Sequence, residues 1–226
     1  MLKIGITGQS GFIGSYIYNR LAIEREFFKI IEFKKSFFDK TNLLDSFVLD
    51  CDVIIHLAAL NRHNDEDVLY KENINLSSLL IKSLNRKKKK THIILSSSIQ
   101  EDADNKYGES KKVSRLLFSK WAKETNNIFT GMIIPNVFGP FGKPFYNSVI
   151  STFSFQIANN ESPKIINDSD LPLIYIGQLV SEIIKVIKNH TNNSSYIVDY
   201  SFKLKVSEVL SKLNDYKFKY LKKGEI

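Results

Sequence analysis

The sequence predicts an α/β chain, a doubly wound parallel sheet followed by a small C-terminal lobe. Three features point there. Residues 2–7 form an apolar strand that runs straight into Gly8-Gln9-Ser10-Gly11-Phe12-Ile13-Gly14 and then into helical spacing over 15–22. The run 52–59 is nearly all apolar, as expected of a strand buried on both faces of a parallel sheet. Up to Pro135, strand patterns alternate with amphipathic helical ones, which is the signature of β–α crossovers.

Taken in order, 29–33 reads as the second strand and 36–39 as a short third. A helix capped by Thr41 or Asn42 is expected over 41–49, then the strand 52–59. Residues 67–85 carry Val68, Ile74, Leu76, Leu79, Leu80, Ile81 and Leu84 at helical spacing. A strand over 91–96 ends in Ser96-Ser97-Ser98. The helix 107–126 and the strand 129–134 follow. Beyond Pro135, the residues Gly139, Pro140, Gly142 and Pro144 mark a loop. A helix 148–158, short strands 164–166 and 173–176, a helix 177–189, a polar loop 189–195, a strand 196–198 and a helix 206–213 complete the expectation.

The 226 residues are enough for one large α/β domain with an appended lobe. Hydrophobic residues make up 43% of the chain and charged residues 25%, which argues against disorder. No apolar run has the length of a membrane span, and the glycine-bearing first strand is not a signal peptide. Cys51 is the only cysteine, so no intrachain disulfide or cysteine metal cluster is available, and a cytoplasmic setting is the expectation. His56, His63, His92 and His190 form no recognisable metal set. The net charge of +8 raises the question of nucleic acid. Much of it sits in Arg86-Lys87-Lys88-Lys89-Lys90, which has no interleaved aromatics. It reads instead as a solvated turn at a helix C-terminus, where the dipole favours cations. No nucleic-acid and no membrane partner is expected.

A strand, a glycine turn and a helix in that order suit a bound pyrophosphate. Gly8 permits the sharp exit from the strand, Gly11 lets phosphate oxygens approach the backbone, and Gly14 lets the helix pack closely. The serine-ended strand points its C-terminus at the same crevice. Nine residues after Ser98 come Tyr107 and Lys111, one above the other on a helix. An ammonium beside a phenol favours its ionised form, and a nearby serine hydroxyl can bond a carbonyl oxygen. Such a spacing arises by chance about once in a chain this rich in lysine, so its place after the serine-ended strand carries the weight. His56, on a buried strand, reads as structural. Arg62 reads equally as a surface residue or a substrate contact, and Trp121 as part of the core or of a dimer face. Glu32 ends the second strand, where an acid binds a ribose 2′-hydroxyl. The following Lys34 and Lys35 favour a 2′-phosphate and thus NADPH, with NAD still possible.

Thr7-Gly8-x-x-Gly11-x-x-Gly14, His56-Leu57-Ala58-Ala59, Asn73, Ser96-Ser97-Ser98, Tyr107-x-x-x-Lys111 and Pro135-Asn136-Val137-Phe138-Gly139-Pro140 occur in the order seen in the extended short-chain dehydrogenase/reductases. The chain resembles that family, the nucleotide-sugar epimerases, dehydratases and reductases, over nearly its whole length. Ser96 to Gln100, Tyr107 to Lys111, Lys143-Pro144 and Tyr146 to Ile150 give a closer likeness. They resemble the reductase domain of bacterial capsular-polysaccharide enzymes acting on a UDP-2-acetamido-2,6-dideoxy-4-ketohexose.

The resemblance implies a Rossmann-type dinucleotide-binding domain over 1–138 and a small substrate lobe over 139–226, interleaved with the first. It makes Tyr107 the proton donor, Lys111 its partner and ribose clamp, and Ser98 the group that holds the C4 carbonyl. Gly8, Gly11, Phe12, Ile13 and Gly14 would hold the pyrophosphate. Leu57, Ala58 and Ala59 would line the adenosine side. Asn73 and Ser96 would stand beside the cofactor, and Pro135, Asn136 and Val137 beside the nicotinamide. Asn136, Asn147, Ser148 and Val149 would meet the substrate. NADPH-dependent reduction of a UDP-linked 4-keto sugar and a homodimer are implied, the dimer face being the helices 67–85 and 107–126. Epimerase, dehydratase, dTDP-sugar reductase and non-catalytic NADP-binding readings stay open. The chain departs from the family at Ile176-Gly177-Gln178, where relatives often carry Val-Asp-Asp, and in having no arginine before Pro135. The further metal-binding domain of the capsule enzymes is also absent from this sequence.

Overall fold

The computed structural model describes residues 1–224. They divide into two compact units, Met1–Ile134 with Leu179–Val198, and Pro135–Gln178 with the residues from Asp199 onward.

The first unit is built on a six-stranded, all-parallel sheet. Its strands are β1 (Leu2–Thr7), β2 (Phe28–Ile31), β3 (Val53–His56), β4 (His92–Ser98), β5 (Phe129–Ile134) and β8 (Asn193–Ile197). They lie in the order β2-β1-β3-β4-β5-β8. Between them run α1 (Phe12–Ile23), α2 (Thr41–Asp50), α3 (Glu66–Lys87) and α4 (Lys106–Thr125), and most of α6 (Ile176–Lys188) returns the chain to β8. All four residues of β3 are buried, so it carries no hydrophobic alternation. Phe33, Phe38, Phe47, Leu80, Phe118, Trp121 and Phe129 belong to one core cluster. Trp121 is therefore a core residue, 3% exposed, with its ring edge-on to Phe118.

Several helix ends are capped as their sequences suggest. Asp65 accepts hydrogen bonds from the N–H groups of Asp67 and Val68 at the start of α3, and Asn105 accepts from Gly108 at the start of α4. The cap of α2 is different. Lys40 occupies it and no side chain closes it, so neither Thr41 nor Asn42 serves there.

The basic run 86–90 lies at the solvent-exposed C-terminus of α3, as expected, and several of its cations also make specific pairs. Arg86 and Lys87 pair with Asp45 of α2, and Lys89 reaches Asp52 and the Leu49 carbonyl. Lys90 donates to the carbonyls of Thr125 and Asn126 at the C-terminus of α4. These cations tie helix ends together and meet negative dipole ends. Hydrogen bonds from Arg86 and, less strongly, Ser83 outweigh the opposing effect of burial and hold the Asp45 carboxyl far below the usual carboxylate range.

Other expectations need correction. Residues 35–37 form a 3₁₀ turn, not a strand. Phe33 packs edge-on against both Phe37 and Phe38, so the aromatic residues fill a corner of the core rather than a pleated face. The loop expected to run to 195 gives way at Asn193 to β8, an edge strand held to β5 by its backbone.

The second unit holds a three-stranded sheet in the order β6-β7-β9, made of β6 (Asn136–Phe138), β7 (Asp170–Tyr175) and β9 (Phe202–Lys205). Phe138 packs against Tyr175 and Phe202 across it. Helices α5 (Val149–Ala158) and α7 (Val206–Tyr216) belong to this unit. The expected strand over 164–166 is absent, and Ile166 is fully exposed. β6 and β9 were not expected. The Pro/Gly density hides the first, and the second, Phe-Lys-Leu-Lys, shows the strand alternation over only four residues.

Candidate active site

At the C-terminal end of β1, Gly8 takes a φ of +80°, a conformation that side chains rarely adopt, and its N–H-to-carbonyl turn closes by Gly11 N donating to Gly8 O at 3.0 Å. A Cβ on Gly14 would stand 2.3 Å from Gly8 O and 2.8 Å from Gln9 Cα, so α1 lies against the turn's backbone at a distance only glycine allows. At Gly11 the added Cβ would meet only Gly8 O, at 3.3 Å, and otherwise open space. Gly11 stands at the N-cap of α1, the first turn holds no acidic residue, and Phe12 and Ile13 follow it directly. The Gln9 side-chain carbonyl is buried without a hydrogen-bond partner. An open glycine face and an uncapped helix N-terminus fit a dinucleotide's pyrophosphate.

Thr7 connects this turn to β3. Its hydroxyl lies 2.7 Å from His56 Nδ1 and accepts from Ala58 N at 3.3 Å. His56 is 1% exposed, and burial, with a smaller effect from Lys111, pushes its pKa down to about 3. It is a neutral core residue with no acid–base role near pH 7. Leu57 and Ala58 abut Gly8, where an added Cβ would lie 3.0 Å from Ala58 N; Ala59 continues that segment.

The serine-ended strand meets α4. Ser98 ends β4 and caps the 3₁₀ turn Ile99–Asp102, its Oγ accepting from Gln100 N at 3.1 Å. That commits one lone pair and leaves the O–H to donate. A Cβ on Gly108 would stand 1.8 Å from Gln100 O, so the backbone after Ser98 lies directly on the first turn of α4, beside Tyr107. Lys111 is 5% exposed, with its Nζ 5.7 Å from the Tyr107 ring centroid and donating to Ser96 O at 2.9 Å. Burial, partly offset by Glu101, lowers its pKa to about 8.

Two arrangements here were not visible in the sequence. Asn73 accepts from Leu60 N (2.7 Å) and donates to Leu60 O and to Ser110 Oγ, both at 3.0 Å. It fastens the segment after β3 to the helix that carries Tyr107 and Lys111. Glu101 and Arg115 form a buried ion pair, and Ser97 also donates to Glu101. Ser96 Oγ reaches back to His56 O at 3.4 Å. Beyond β2, Lys34 lies 3.3 Å from Glu32 with both side chains well exposed, while Lys35 opens the 3₁₀ turn.

In the second unit, Pro135 precedes β6, and Asn136 and Val137 lie in it. The Asn136 amide donates to Pro172 O at 3.1 Å, and β6 pairs in parallel with β7. Asn147 precedes Ser148, the N-cap of α5, whose Oγ accepts from Ser151 N; Val149 is the first residue of that helix. Among the described residues no group of three or more His, Cys, Asp or Glu is placed to hold a metal ion, and no helix is long and apolar enough to cross a membrane.

Comparison with known proteins places the chain by family and fold. Residues 4–198 match the model of the NAD dependent epimerase/dehydratase family. The chain is 28% identical over 218 residues to a UDP-2-acetamido-2,6-beta-L-arabino-hexul-4-ose reductase from Pseudomonas aeruginosa, covering 96% of this chain and 58% of that protein. The capsular polysaccharide assembling protein CapF from Staphylococcus aureus superposes with a TM-score of 0.80 at 33% identity, over 98% of this chain and 59% of that one. A UDP-glucuronic acid 4-epimerase from Bacillus cereus, in complex with UDP-glucuronic acid and NAD, gives a TM-score of 0.81 at 16% identity over 96% and 83%, which speaks to the fold alone. The chain thus spans under two thirds of the first two relatives.

Proposed function

The chain belongs to the NAD dependent epimerase/dehydratase family, and on that premise we propose that it reduces the C4 ketone of a UDP-linked 2-acetamido-2,6-dideoxy-4-ketohexose at the expense of NADPH, in the cytoplasm, on a route to surface polysaccharide. The observation that carries this reading is the buried Lys111 beside the Tyr107 ring, at the end of a serine-terminated strand, in the same unit as an open glycine turn. The name of the Pseudomonas relative supplies the substrate class.

When bound, the reduced nicotinamide supplies a hydride to the carbonyl carbon. Tyr107 gives its phenolic proton to the carbonyl oxygen, and the Ser98 O–H holds that oxygen through a hydrogen bond. Lys111 places positive charge next to the phenol as it loses its proton. Its own pKa of about 8 keeps most of it protonated at neutral pH. Ser96 O and the surrounding core fix its position, so little reorganisation is needed when charge develops. We assign Gly8, Gly11, Phe12, Ile13 and Gly14 to the pyrophosphate and Leu57, Ala58 and Ala59 to the adenosine side. Asn73 acts as a positioning residue through Leu60 and Ser110. The second unit serves as the substrate lobe, with Asn136, Asn147, Ser148 and Val149 toward the sugar nucleotide. A homodimer through α3 and α4 completes the proposal, and sedimentation at high concentration tests it.

The direct test follows NADPH absorbance with UDP- and dTDP-linked 4-keto-6-deoxy sugars. Oxidation with a UDP-4-keto sugar supports the assignment. A Tyr107→Phe variant should lose turnover by about a hundredfold or more while still binding NADPH. Wild-type turnover in that variant would remove Tyr107 from the mechanism. An epimerase would instead release firmly held NAD on denaturation.

A further inference from the structure

We propose that Glu101 is a positioning residue for this site: its buried carboxylate fastens the serine-ended strand to α4 and stands as counter-charge to the buried Lys111 ammonium. The inference deepens the reductase reading above and rests on it for what Lys111 and Ser98 are positioned to do.

The last three residues of β4 are held one by one. The Ser96 carbonyl accepts from Lys111 Nζ at 2.9 Å, the Ser97 hydroxyl donates to Glu101, and Ser98 Oγ accepts from Gln100 N at 3.1 Å. Side chains alternate across a strand, so Ser97 stands on the opposite face from Ser96 and Ser98. It is buried, while its two neighbours are half-buried. Glu101 therefore grips the strand from the core side and leaves Ser98 to the crevice. From α4, Arg115 closes on the same carboxylate, Nε to Oε1 at 2.7 Å and Nη2 to Oε2 at 2.6 Å. Its remaining nitrogen is held at β8 by Ser194 O and Ser195 Oγ. One carboxylate thus joins the strand that ends in Ser98, the turn that follows it and the helix that carries Tyr107.

Charge leads to the same residue. Tyr107, Lys111 and Arg115 follow one another at four-residue steps along α4, so Lys111 has a phenol one turn before it and a guanidinium one turn after. A buried ammonium is costly without an anion near it. The elements packed around Lys111 offer few. β3 brings His56, a neutral ring, and β4 the uncharged Ser96 carbonyl. α3 brings the amide of Asn73 to Ser110. Asp102, in the same turn as Glu101, is exposed and engaged with Lys112. The negative charge that offsets burial at Lys111 is that of Glu101. Arg115 holds this carboxylate in place, with all of its nitrogens engaged by Glu101, Ser194 and Ser195.

NMR titration of the full chain with its lysine side chains labelled at the ε-carbon reads the Lys111 charge without substrate, and Lys111→Arg identifies the signal. In the wild type that signal should titrate at about 8. Glu101→Gln should lower the midpoint by at least about half a pH unit, whereas Arg115→Met should leave it or raise it. Both variants break the same ion pair, so a merely structural role would move the two alike. Glu101→Asp keeps the charge and should stay nearer the wild type than Glu101→Gln. Should a single variant fail to fold, Glu101→Gln combined with Arg115→Met strands no charge and should still titrate below the wild type. In NADPH oxidation with a UDP-4-keto sugar, the basic limb of the kcat profile should follow the midpoint, and the loss should fall on kcat rather than KM. An unmoved midpoint in folded Glu101→Gln, or equal shifts in Glu101→Gln and Arg115→Met, overturns the inference and leaves the reductase reading standing. If the wild type reduces no 4-keto sugar, the reductase reading falls, and the midpoints still decide whether Glu101 sustains the Lys111 charge.

Discussion

Arg115→Met should be among the most damaging single substitutions in the first unit. The guanidinium donates from Nε to both Glu101 oxygens, at 2.7 and 3.0 Å, and from Nη2 to Oε2 at 2.6 Å. Its third nitrogen reaches Ser194 O at 3.0 Å and Ser195 Oγ at 2.7 Å. The side chains are 11% and 5% exposed. Methionine keeps most of the aliphatic stem that lies across Gly131, where an added Cβ would come 2.7 Å from Arg115 Cδ. It strands a carboxylate away from water and leaves the Ser194 carbonyl without that donor. Removing one partner of a buried pair typically costs about 3–5 kcal/mol. For a chain of this size each kcal/mol moves Tm by about 2–4 °C, so a fall of about 10 °C is expected. Trp121 is the only tryptophan and lies in the core of the same unit, so its fluorescence in urea reports this unfolding. Pairing Arg115→Met with Glu101→Gln should recover a large part of the loss, because the stranded charge is gone. A single variant within about 1 kcal/mol of wild type, or a double variant no better than the single, would refute the view that this pair holds the segment after Ser98 against α4.

Two further outcomes follow from the same structure. Gly14→Ala places a methyl 2.3 Å from Gly8 O, and backbone rather than a mobile side chain must move. NADPH binding by calorimetry should fall by at least about tenfold, and a normal Kd would show that the turn is not the pyrophosphate seat. Stability should also decline in acid. Burial pushes His56 down to about 3. Burial, with His190 adding to it, pushes His92 down to about 4. An unfolded histidine takes up its proton near 6.5, so between pH 6.5 and about 4 the unfolded chain binds more protons than the folded one. The stability these neutral rings contribute is complete above 6.5 and is lost as the pH falls. Urea midpoints at pH 7.5 and 5.0 measure it, and equal midpoints would contradict the burial of both rings.

Much of the first unit could be read from local pattern, because a parallel strand buried on both faces must be apolar throughout, as in Val53-Ile54-Ile55-His56. The same rule misled at 36–39, where Phe37 and Phe38 owe their character to a core corner built with Phe33 and Phe47. It was silent at β8 and β9, where backbone hydrogen bonds to a neighbouring strand hold segments of polar or alternating residues. The site divides along the same line. Tyr107 and Lys111 stand four apart on one helix, and the glycine spacing lies within one turn, so one-dimensional spacing suffices for both. Asn73 with Leu60 and Ser110, and Glu101 with Arg115, are partners 13 to 37 positions apart, brought together only once α3 and α4 are laid against the sheet. The groups proposed to carry the chemistry sit on single elements and leave short-range marks. Groups that position them act from one element onto another, and their spacing in sequence is set by crossover lengths that carry no chemical information.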